Sequence, residues 1–251
     1  MNQARVQVMA LLETNELHSG YGSDEIIHGI DFKVELGEVV TILGPNGCGK
    51  TTFVKAILGY LRVTRGNVYF RDQDIRKLAP AQRVKLGIGY VPQLLNIFKP
   101  LTVRENLEMG AFSLNRNDKI SRLESLYDLF PVLKDRASQR ANTLSGGERQ
   151  LLAMARAMMV SPALLFLDEP AAGLSPIRAE EIFGQIRLIA ESGTAAVIVE
   201  QDVQRALDIS DRGYVFVSGN VAFQGKPDDI VADDRIRNAY LGGYTTSLSD
   251  G

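Results

Sequence analysis

A glycine-rich segment in the first quarter of the chain constrains its fold more than any other feature. The segment Gly44–Thr52 reads GPNGCGKTT and satisfies the phosphate-binding-loop pattern G-x-x-x-x-G-K-[ST]. Glycines let consecutive backbone N–H groups turn into a concave nest for an anion, because no Cβ atoms obstruct it. The pattern places the Lys50 ammonium on the β- and γ-phosphates of a nucleotide and offers the Thr51 hydroxyl to Mg²⁺.

The residues on either side of the loop predict the secondary structure that this pattern requires. Glu38–Leu43 is a β-branched apolar run that predicts a strand. The apolar residues of Thr51–Leu58 recur at helical spacing until Gly59 ends the helix. The positive end of that helix dipole, at Gly49, adds to the anion site. A glycine-rich turn in an unrelated α/β unit is the alternative, and this strand–loop–helix order disfavours it.

The composition is that of an ordinary globular protein. The 251 residues are 45% hydrophobic and 23% charged, which fits one large α/β domain or one domain with an inserted subdomain. A net charge of −2 argues against a nucleic-acid binder held by phosphate contacts. The single cysteine, Cys48, fits a reducing compartment. No stretch approaches the roughly 20 apolar residues that cross a bilayer, and no signal peptide is recognisable. We therefore expect a cytosolic protein that reaches a membrane only through a partner.

The remaining sequence predicts alternating strands and helices. Gly37 is expected to form a hairpin turn between two of the early strands. The predicted strands are Ala10–Glu13, Ile30–Glu35, Glu38–Leu43, Asn67–Arg71, Ala163–Leu167 and Ala195–Glu200. Helical patterns cover 103–130, Gln150–Met159 and Ala179–Glu191. We expect an N-terminal extension at 1–9, a single domain at 10–244 and a flexible tail at 245–251.

Two carboxylates follow a continuous apolar run, Leu164–Leu167. Such a run is typical of a strand buried on both faces of a parallel sheet, and ligands bind at the carboxyl ends of such strands. We assign Asp168 to the Mg²⁺ that accompanies the phosphates and Glu169 to the polarisation of an attacking water. An acidic pair that caps a helix is the alternative, which the phosphate loop makes minor.

A second glycine nest precedes the helix at 150–159. Ser145, Gly146 and Gly147 lie before this helix and form an anion site of the same physical kind as the phosphate loop. One nucleotide does not need two such nests from one subunit. We therefore expect this nest to close on a nucleotide that another subunit holds.

The two nests and the acidic pair together resemble the ATP-binding cassette (ABC) ATPases, over about Leu11 to Leu241. Leu144–Glu148 (LSGGE) matches that family's signature sequence. The resemblance implies an α/β P-loop NTPase fold with a RecA-like parallel sheet, an N-terminal antiparallel β subdomain and an inserted α-helical signature subdomain at about 94–160. It implies that ATP and Mg²⁺ are bound, and that the helical subdomain docks on a membrane permease.

The resemblance also implies roles for two further residues. Tyr21 matches the aromatic residue that stacks on adenine, although a tyrosine in a turn beside Gly20 and Gly22 is an equal alternative. Gln93 matches the glutamine that approaches Mg²⁺ and the attacking water. The resulting assignments are Lys50, Gln93, Glu169 and Gln201 for catalysis; Thr51, Gln93 and Asp168 for the metal; and Tyr21, Gly44, Pro45, Asn46, Gly47, Cys48, Gly49, Lys50, Thr51, Thr52, Ser145, Gly146 and Gly147 for the nucleotide.

Two positions depart from the family pattern. Gln201 stands where the family usually has a switch histidine, and the chain's two histidines, His18 and His28, come too early to replace it. A glutamine can donate a hydrogen bond to a γ-phosphate oxygen but cannot titrate. Ser175 stands where an aspartate is common in the loop that crosses to the partner. Both departures are expected to slow hydrolysis without removing ATP binding.

The departures and several short segments resemble the ATPases of branched-chain amino acid importers, and also those of urea and amide importers. The segments are Glu169–Pro176, Val199–Gln201, Leu101–Leu107 and Ala239–Gly242. The resemblance implies a second ABC ATPase as partner, in a heterodimer or else a homodimer, and transmembrane permease subunits. An extracytoplasmic substrate-binding protein would be reached indirectly, and no nucleic acid is expected as a partner. The resemblance also implies a place on the cytoplasmic face of the inner membrane. Two alternatives stay open: a soluble assembly or regulatory ATPase, and a lipid or lipopolysaccharide export ATPase, against which Gln201 argues mildly.

Overall fold

The computed structural model describes residues 10–94, 97–112, 114–233 and 236 of the chain. Four predicted features lie outside the described residues. They are the N-terminal extension at 1–9, the tail at 245–251, the domain end at 244 and the segment Ala239–Gly242. The division into domains therefore stays a prediction.

The described residues alternate between strands and helices. The strands are β1 (Leu12–Tyr21), β2 (Asp24–Val34), β3 (Val39–Leu43), β4 (Val63–Phe70), β5 (Gln73–Asp74), β6 (Ile88–Val91), β7 (Leu164–Asp168), β8 (Ala195–Glu200), β9 (Arg212–Val217) and β10 (Asn220–Gly225). The helices are α1 (Lys50–Leu58), α2 (Pro80–Leu86), α3 (Val103–Gly110), α4 (Arg116–Leu129), α5 (Pro131–Asp135), α6 (Gly146–Met158), α7 (Pro176–Glu191), α8 (Val203–Asp208) and α9 (Pro227–Ala232).

These strands form two sheets. One sheet has the order β10-β9-β3-β8-β7-β6 and is parallel except for β10, which is antiparallel to β9. The other sheet has the order β2-β1-β4-β5 and is antiparallel. Every residue of β3, β7 and β8 is buried, because both faces of the parallel sheet are covered. The predicted α/β architecture, with a parallel core and an N-terminal antiparallel sheet, is confirmed.

Helix α1 is packed between the two sheets through aromatic side chains. The ring centroid of Phe53 in α1 lies 5.1 Å from that of Phe32 in β2 and 5.3 Å from that of Phe216 in β9. Phe32 also contacts Tyr214 of β9 at a centroid distance of 4.5 Å. Since the phosphate loop leads directly into α1, both sheets hold the loop in place.

The other face of the parallel sheet is covered by helices from the middle of the chain. A second apolar core joins β3, β7 and β8 to α3, α4, α5 and α6. It includes Leu107, Leu126, Leu133, Leu152 and Leu167. Among the described residues, no helix is long and apolar enough to cross a membrane.

The prediction of a hairpin at Gly37 is wrong. The strand before it, β2, pairs with β1 in the antiparallel sheet, whereas β3 after it lies in the parallel sheet between β8 and β9. The physical reason is that β3 is apolar on both faces and is buried only at the centre of a covered sheet. Gly37 has a positive φ of 68° and turns the chain from one sheet to the other.

Several element boundaries also differ from the predictions. Strand β2 begins at Asp24, before the predicted Ile30, and β4 begins at Val63, before the predicted Asn67. Strand β1 begins at Leu12 and continues to Tyr21, beyond the predicted Ala10–Glu13. Helix α6 begins at Gly146, before the predicted Gln150, because Ser145 and Glu148 form a reciprocal capping box at its start.

Candidate active site

The phosphate loop joins the end of β3 to the start of α1, and two of its glycines are required by their surroundings. Gly44 has φ 153°, and a Cβ there would lie 2.5 Å from the carbonyl oxygen of Phe216. Gly49 has φ 107°, and a Cβ there would lie 2.8 Å from Cδ1 of Ile27. Both approaches are closer than a side chain tolerates. The backbone of the loop is therefore seated against its neighbours in a conformation that only glycine adopts easily.

The side chain of Lys50 is held over its own loop. Its ammonium is buried and donates hydrogen bonds to the carbonyl oxygens of Gly44 at 2.7 Å and Pro45 at 3.0 Å. An ammonium carries three N–H donors, so one donor remains for a phosphate oxygen. Cys48, in the same loop, is buried, and burial raises the pKa of its thiol.

A carboxylate and a hydroxyl meet beside the loop, as expected for a Mg²⁺ site. Oδ2 of Asp168 accepts hydrogen bonds from Thr51 Oγ1 at 3.4 Å and from the hydroxyl of Tyr90 at 3.3 Å. Asp168 is only 6% exposed, and burial raises its pKa. The described residues hold no group of three or more histidine, cysteine, aspartate or glutamate side chains that could bind a metal ion. The Asp168 carboxylate and the Thr51 hydroxyl fit Mg²⁺, which takes one or two protein oxygens together with substrate phosphates.

Both carboxylate oxygens of Glu169 are held by amide side chains. Oε2 accepts from Nε2 of Gln93 at 2.6 Å, and Oε1 accepts from Nε2 of Gln201 at 2.5 Å. The backbone at Glu169 has a positive φ of 45°, and its N–H donates to the carbonyl oxygen of Val199 at 2.8 Å. This turn directs the carboxylate away from the path of β7. The two glutamines, predicted from different parts of the chain, are thus brought together on the predicted base.

A third carboxylate at this edge, Glu200, was not predicted. It ends β8, is buried, and burial raises its pKa. Its two oxygens accept from the backbone N–H groups of Ala171 at 3.2 Å and Gln201 at 3.1 Å. Glu200 therefore ties the loop after Glu169 to the backbone that carries Gln201. Its position after a buried apolar strand was a usable signal for its presence at this edge.

The signature residues lie apart from the phosphate loop. Ser145 caps α6: its hydroxyl accepts from the N–H of Glu148 at 3.3 Å, and its own N–H donates to the Glu148 carboxylate at 2.8 Å. Gly147 is buried against the side chain of Arg178 at the start of α7. Within the described part of the chain, no hydrogen bond joins these residues to the loop at Gly44–Thr52. At this capped helix start, Ser145 is exposed, Gly146 is partly buried and Gly147 is buried.

Tyr21 lies at the end of β1, where it pairs with Asp24 of β2. Its side chain is 48% exposed, so its ring is accessible to a planar base. The same position suits a tyrosine in a turn, and its adenine-stacking role stays a prediction.

The sheet order explains why these groups converge. Strands β3, β8, β7 and β6 are neighbours and run parallel, so their carboxyl ends lie at one edge. The phosphate loop follows β3, Gln201 follows β8, and Gln93 comes after β6. Asp168 is the last residue of β7, and Glu169 follows it. Ligands bind at this edge in open α/β sheets. The arrangement can hold a nucleoside triphosphate, a divalent cation and a water beside a carboxylate.

Comparisons with known proteins agree with this geometry. The family model described as "ABC transporter" matches residues 27–172. A probable branched-chain amino acid transport ATP-binding protein, LivF of Archaeoglobus fulgidus, is 40% identical and covers 92% of this chain and 99% of its own length. BraG of Pseudomonas aeruginosa, a high-affinity branched-chain amino acid transport ATP-binding protein, is 36% identical and covers 93% of this chain and its own full length.

Other relatives broaden the comparison. LptB of Escherichia coli strain K12, a lipopolysaccharide export ATP-binding protein, is 34% identical over 93% of this chain and 98% of its own length. A crystal structure of a nucleotide-free ATP-binding cassette superimposes with a TM-score of 0.84 at 27% identity, covering 92% of this chain and 99% of that one. The ADP conformation of the cassette MJ1267 gives a TM-score of 0.83 at 28% identity, covering 93% and 99%.

Proposed function

The chain belongs to the ABC transporter family as an ATP-hydrolysing subunit, and from this premise we propose that it powers the import of branched-chain or other hydrophobic amino acids. The observation that carries this cargo class is the similarity to LivF and BraG, at 40% and 36% identity over at least 99% of their lengths. Gln201 and Ser175, which depart from the usual family pattern, also resemble the importer ATPases and support the same cargo class.

The nucleotide is held by the loop and its helix. The backbone N–H groups of the loop and the N-terminus of α1 bind the phosphates. Lys50 places its remaining N–H on the β- and γ-phosphates, and Thr52 follows in the first turn of α1. The exposed ring of Tyr21 stacks on adenine.

Thr51 and Asp168 would hold Mg²⁺, with Gln93 approaching from β6. When bound, Mg²⁺ neutralises charge that develops on the β- and γ-phosphate oxygens. Asp168 contributes a carboxylate oxygen at the floor of the site, and Thr51 contributes its hydroxyl from α1. Thr51 Oγ1 and Asp168 Oδ2 lie 3.4 Å apart, which is close enough for both oxygens to serve as ligands of one ion.

Glu169 accepts the proton of the attacking water. Gln93 and Gln201 fix the plane of its carboxylate by donating to both oxygens, so the base needs little reorganisation when the water attacks. The proton moves to a Glu169 oxygen as the water oxygen bonds to the γ-phosphorus and the bond to ADP breaks. As a neutral amide at this edge of the site, Gln201 can donate a hydrogen bond but cannot titrate as the switch histidine does.

ABC cassettes function as dimers with transmembrane permease partners. In our proposal, the signature nest of a second, different ATPase closes over the γ-phosphate bound to this chain, and the Ser145–Gly147 nest of this chain closes over the nucleotide bound to that ATPase. The permease docks on the segment after Gln93, where Leu94 is 73% exposed and Phe98 is 44% exposed. The buried side-chain amide of Asn106 holds the backbone of Phe98. Its Oδ1 accepts from the Phe98 N–H at 2.7 Å, and its Nδ2 donates to the Phe98 carbonyl oxygen at 3.0 Å. In this proposal, docking on the permease holds the chain at the cytoplasmic face of the inner membrane, and the substrate-binding protein is reached only through the permease.

Lipopolysaccharide export is the second candidate. The 34% identity to LptB over 98% of its length favours it. The two candidate functions use the same ATP hydrolysis and differ in the permease that the ATPase drives.

A pull-down from native membranes tests the proposal. Tagged Glu169→Gln protein with Mg-ATP is expected to retain a second ATPase and the permeases of an amino acid importer after mild solubilisation. The matched control adds Ser145→Arg in the same background, which blocks the signature nest but leaves the phosphate loop intact. The control is expected to bind ATP and to lose the closed arrangement with the second ATPase.

The identity of the retained proteins decides between the candidates. Recovery of lipopolysaccharide export permeases would replace import with export. Recovery of soluble partners alone, with the protein absent from membranes, would contradict a transport role in either direction.

A further inference from the structure

Tyr90 lies beside the predicted metal site but is not one of the predicted metal ligands or catalytic residues. It belongs to β6, directly opposite Phe166 of β7 in the parallel register. Its side chain is partly buried, and its hydroxyl donates to Oδ2 of Asp168 at 3.3 Å. Tyr90 is therefore the contact through which the strand leading to Gln93 touches the metal-binding carboxylate.

The hydrogen bonds on Asp168 show why this contact matters. Oδ2 accepts from two hydroxyls, those of Thr51 and Tyr90. Thr51 is expected to turn its oxygen to the ion when Mg-ATP binds, and its hydrogen bond to Asp168 is then weakened. Tyr90 remains as a side-chain donor on the carboxylate. A buried carboxylate without donors is costly, and its orientation is not defined.

The Tyr90 hydroxyl keeps its proton throughout this exchange. A phenol has an ordinary pKa of about 10, so it carries its proton at neutral pH. The hydroxyl is thus a permanent donor and does not compete with Asp168 as an anionic ligand.

We propose that Tyr90 is a positioning residue for the Mg²⁺ site, whose hydroxyl holds the Asp168 carboxylate in the orientation that binds Mg-ATP. The proposal rests on the assignment of Asp168 to the metal in the proposed function. Groups that orient metal ligands in this way typically contribute 10–100-fold to metal affinity.

The test is a Tyr90→Phe substitution in the Glu169→Gln background, where hydrolysis does not consume the nucleotide. Binding of a fluorescent ATP analogue is titrated with Mg²⁺, and the bound ion is measured directly by electron paramagnetic resonance with Mn²⁺. We expect about tenfold more Mg²⁺ for half-saturation and weaker Mn²⁺ binding. Binding of the analogue in EDTA is expected to stay unchanged.

Tyr127→Phe is the matched control. Tyr127 is also partly buried, but its buried hydroxyl has no hydrogen-bond partner among the described residues. The exchange removes the same atom from a packed tyrosine in α4, an element that carries none of the predicted site residues. It is expected to leave the Mg²⁺ titration unchanged, which separates the loss of a specific contact from a general effect of the substitution.

A double-mutant comparison tests whether Tyr90 acts through Asp168. Asp168→Asn alone is expected to remove most of the Mg²⁺ dependence, and adding Tyr90→Phe is then expected to change nothing further. Additive effects in the double variant would overturn the proposal.

The outcomes separate this proposal from the function on which it rests. If the Glu169→Gln parent binds the analogue with a clear Mg²⁺ dependence and Tyr90→Phe matches it, the role of Tyr90 is contradicted and the metal site stands. If the parent itself shows no Mg²⁺ dependence, the metal assignment of Asp168 fails and the role of Tyr90 fails with it.

Discussion

Replacing Glu169 with glutamine is expected to lower the rate of ATP hydrolysis by about two to four orders of magnitude. The amide has nearly the same shape as the carboxylate but cannot accept the proton of the attacking water. Both oxygens of the wild-type carboxylate are already held by Gln93 and Gln201, so the substitution removes a base that is fixed in place. ATP binding is expected to persist, because the loop and Lys50 are unchanged, and the ATP-bound dimer is expected to accumulate.

Two measurements on purified protein separate these effects. Single-turnover phosphate release reports hydrolysis, and equilibrium binding of ATP reports affinity. Glu124→Gln, an exposed acid of α4, is the matched control and is expected to hydrolyse ATP normally. Hydrolysis by Glu169→Gln at the wild-type rate would show that Glu169 is not the base.

Replacing Lys50 with alanine is expected to weaken ATP binding by roughly a hundredfold. The ammonium is the only side-chain charge that the loop Gly44–Thr52 contributes to the phosphates. Losing a charge-assisted hydrogen bond to an anion costs about 3 kcal/mol, which is about two decades in affinity. Unlike Glu169→Gln, this variant fails at the binding step and does not accumulate the ATP-bound dimer.

Lys55→Ala is the control for this substitution, since Lys55 lies in the last turn of the same helix and is partly buried. It is expected to bind ATP as the wild type does. Circular dichroism and thermal unfolding check that both variants are folded. Unchanged ATP affinity in a folded Lys50→Ala protein would contradict the phosphate-binding role of the lysine.

The local parts of the site could be predicted from the sequence because each depends on a short run of residues. The strand, glycine loop and helix around Lys50 are contiguous, and so is the buried strand that ends in Asp168. A continuous apolar run followed by two acids places a carboxylate at a sheet edge whatever the rest of the fold is.

The parts that depend on strand neighbours were not predictable in this way. The contacts of Gln93 and Gln201 with Glu169 exist because β6, β7 and β8 are adjacent, which no local pattern encodes. The hairpin at Gly37 was wrong for the same reason, since the sheet that β3 joins is decided by distant partners. Tyr90 was missed because its direction toward Asp168 depends on the register between β6 and β7.

One boundary failed for a different reason. The sequence pattern assigns Ser145 to an anion nest and both Ser145 and Glu148 to a signature sequence. The same two residues also form the capping box that starts α6 at Gly146. Ser145 and Glu148 thus belong to the signature sequence and also define where α6 begins.

The most direct test of the central claim is uptake of radiolabelled leucine by cells whose only copy of this protein is the Glu169→Gln variant. Uptake is measured at low external leucine, against the same cells with the wild-type chain and with Glu124→Gln. We expect uptake to be lost with Glu169→Gln and to be normal with the wild-type chain and with Glu124→Gln. Undiminished uptake of leucine, isoleucine and valine in the Glu169→Gln cells would contradict the claim that ATP hydrolysis by this chain powers their import.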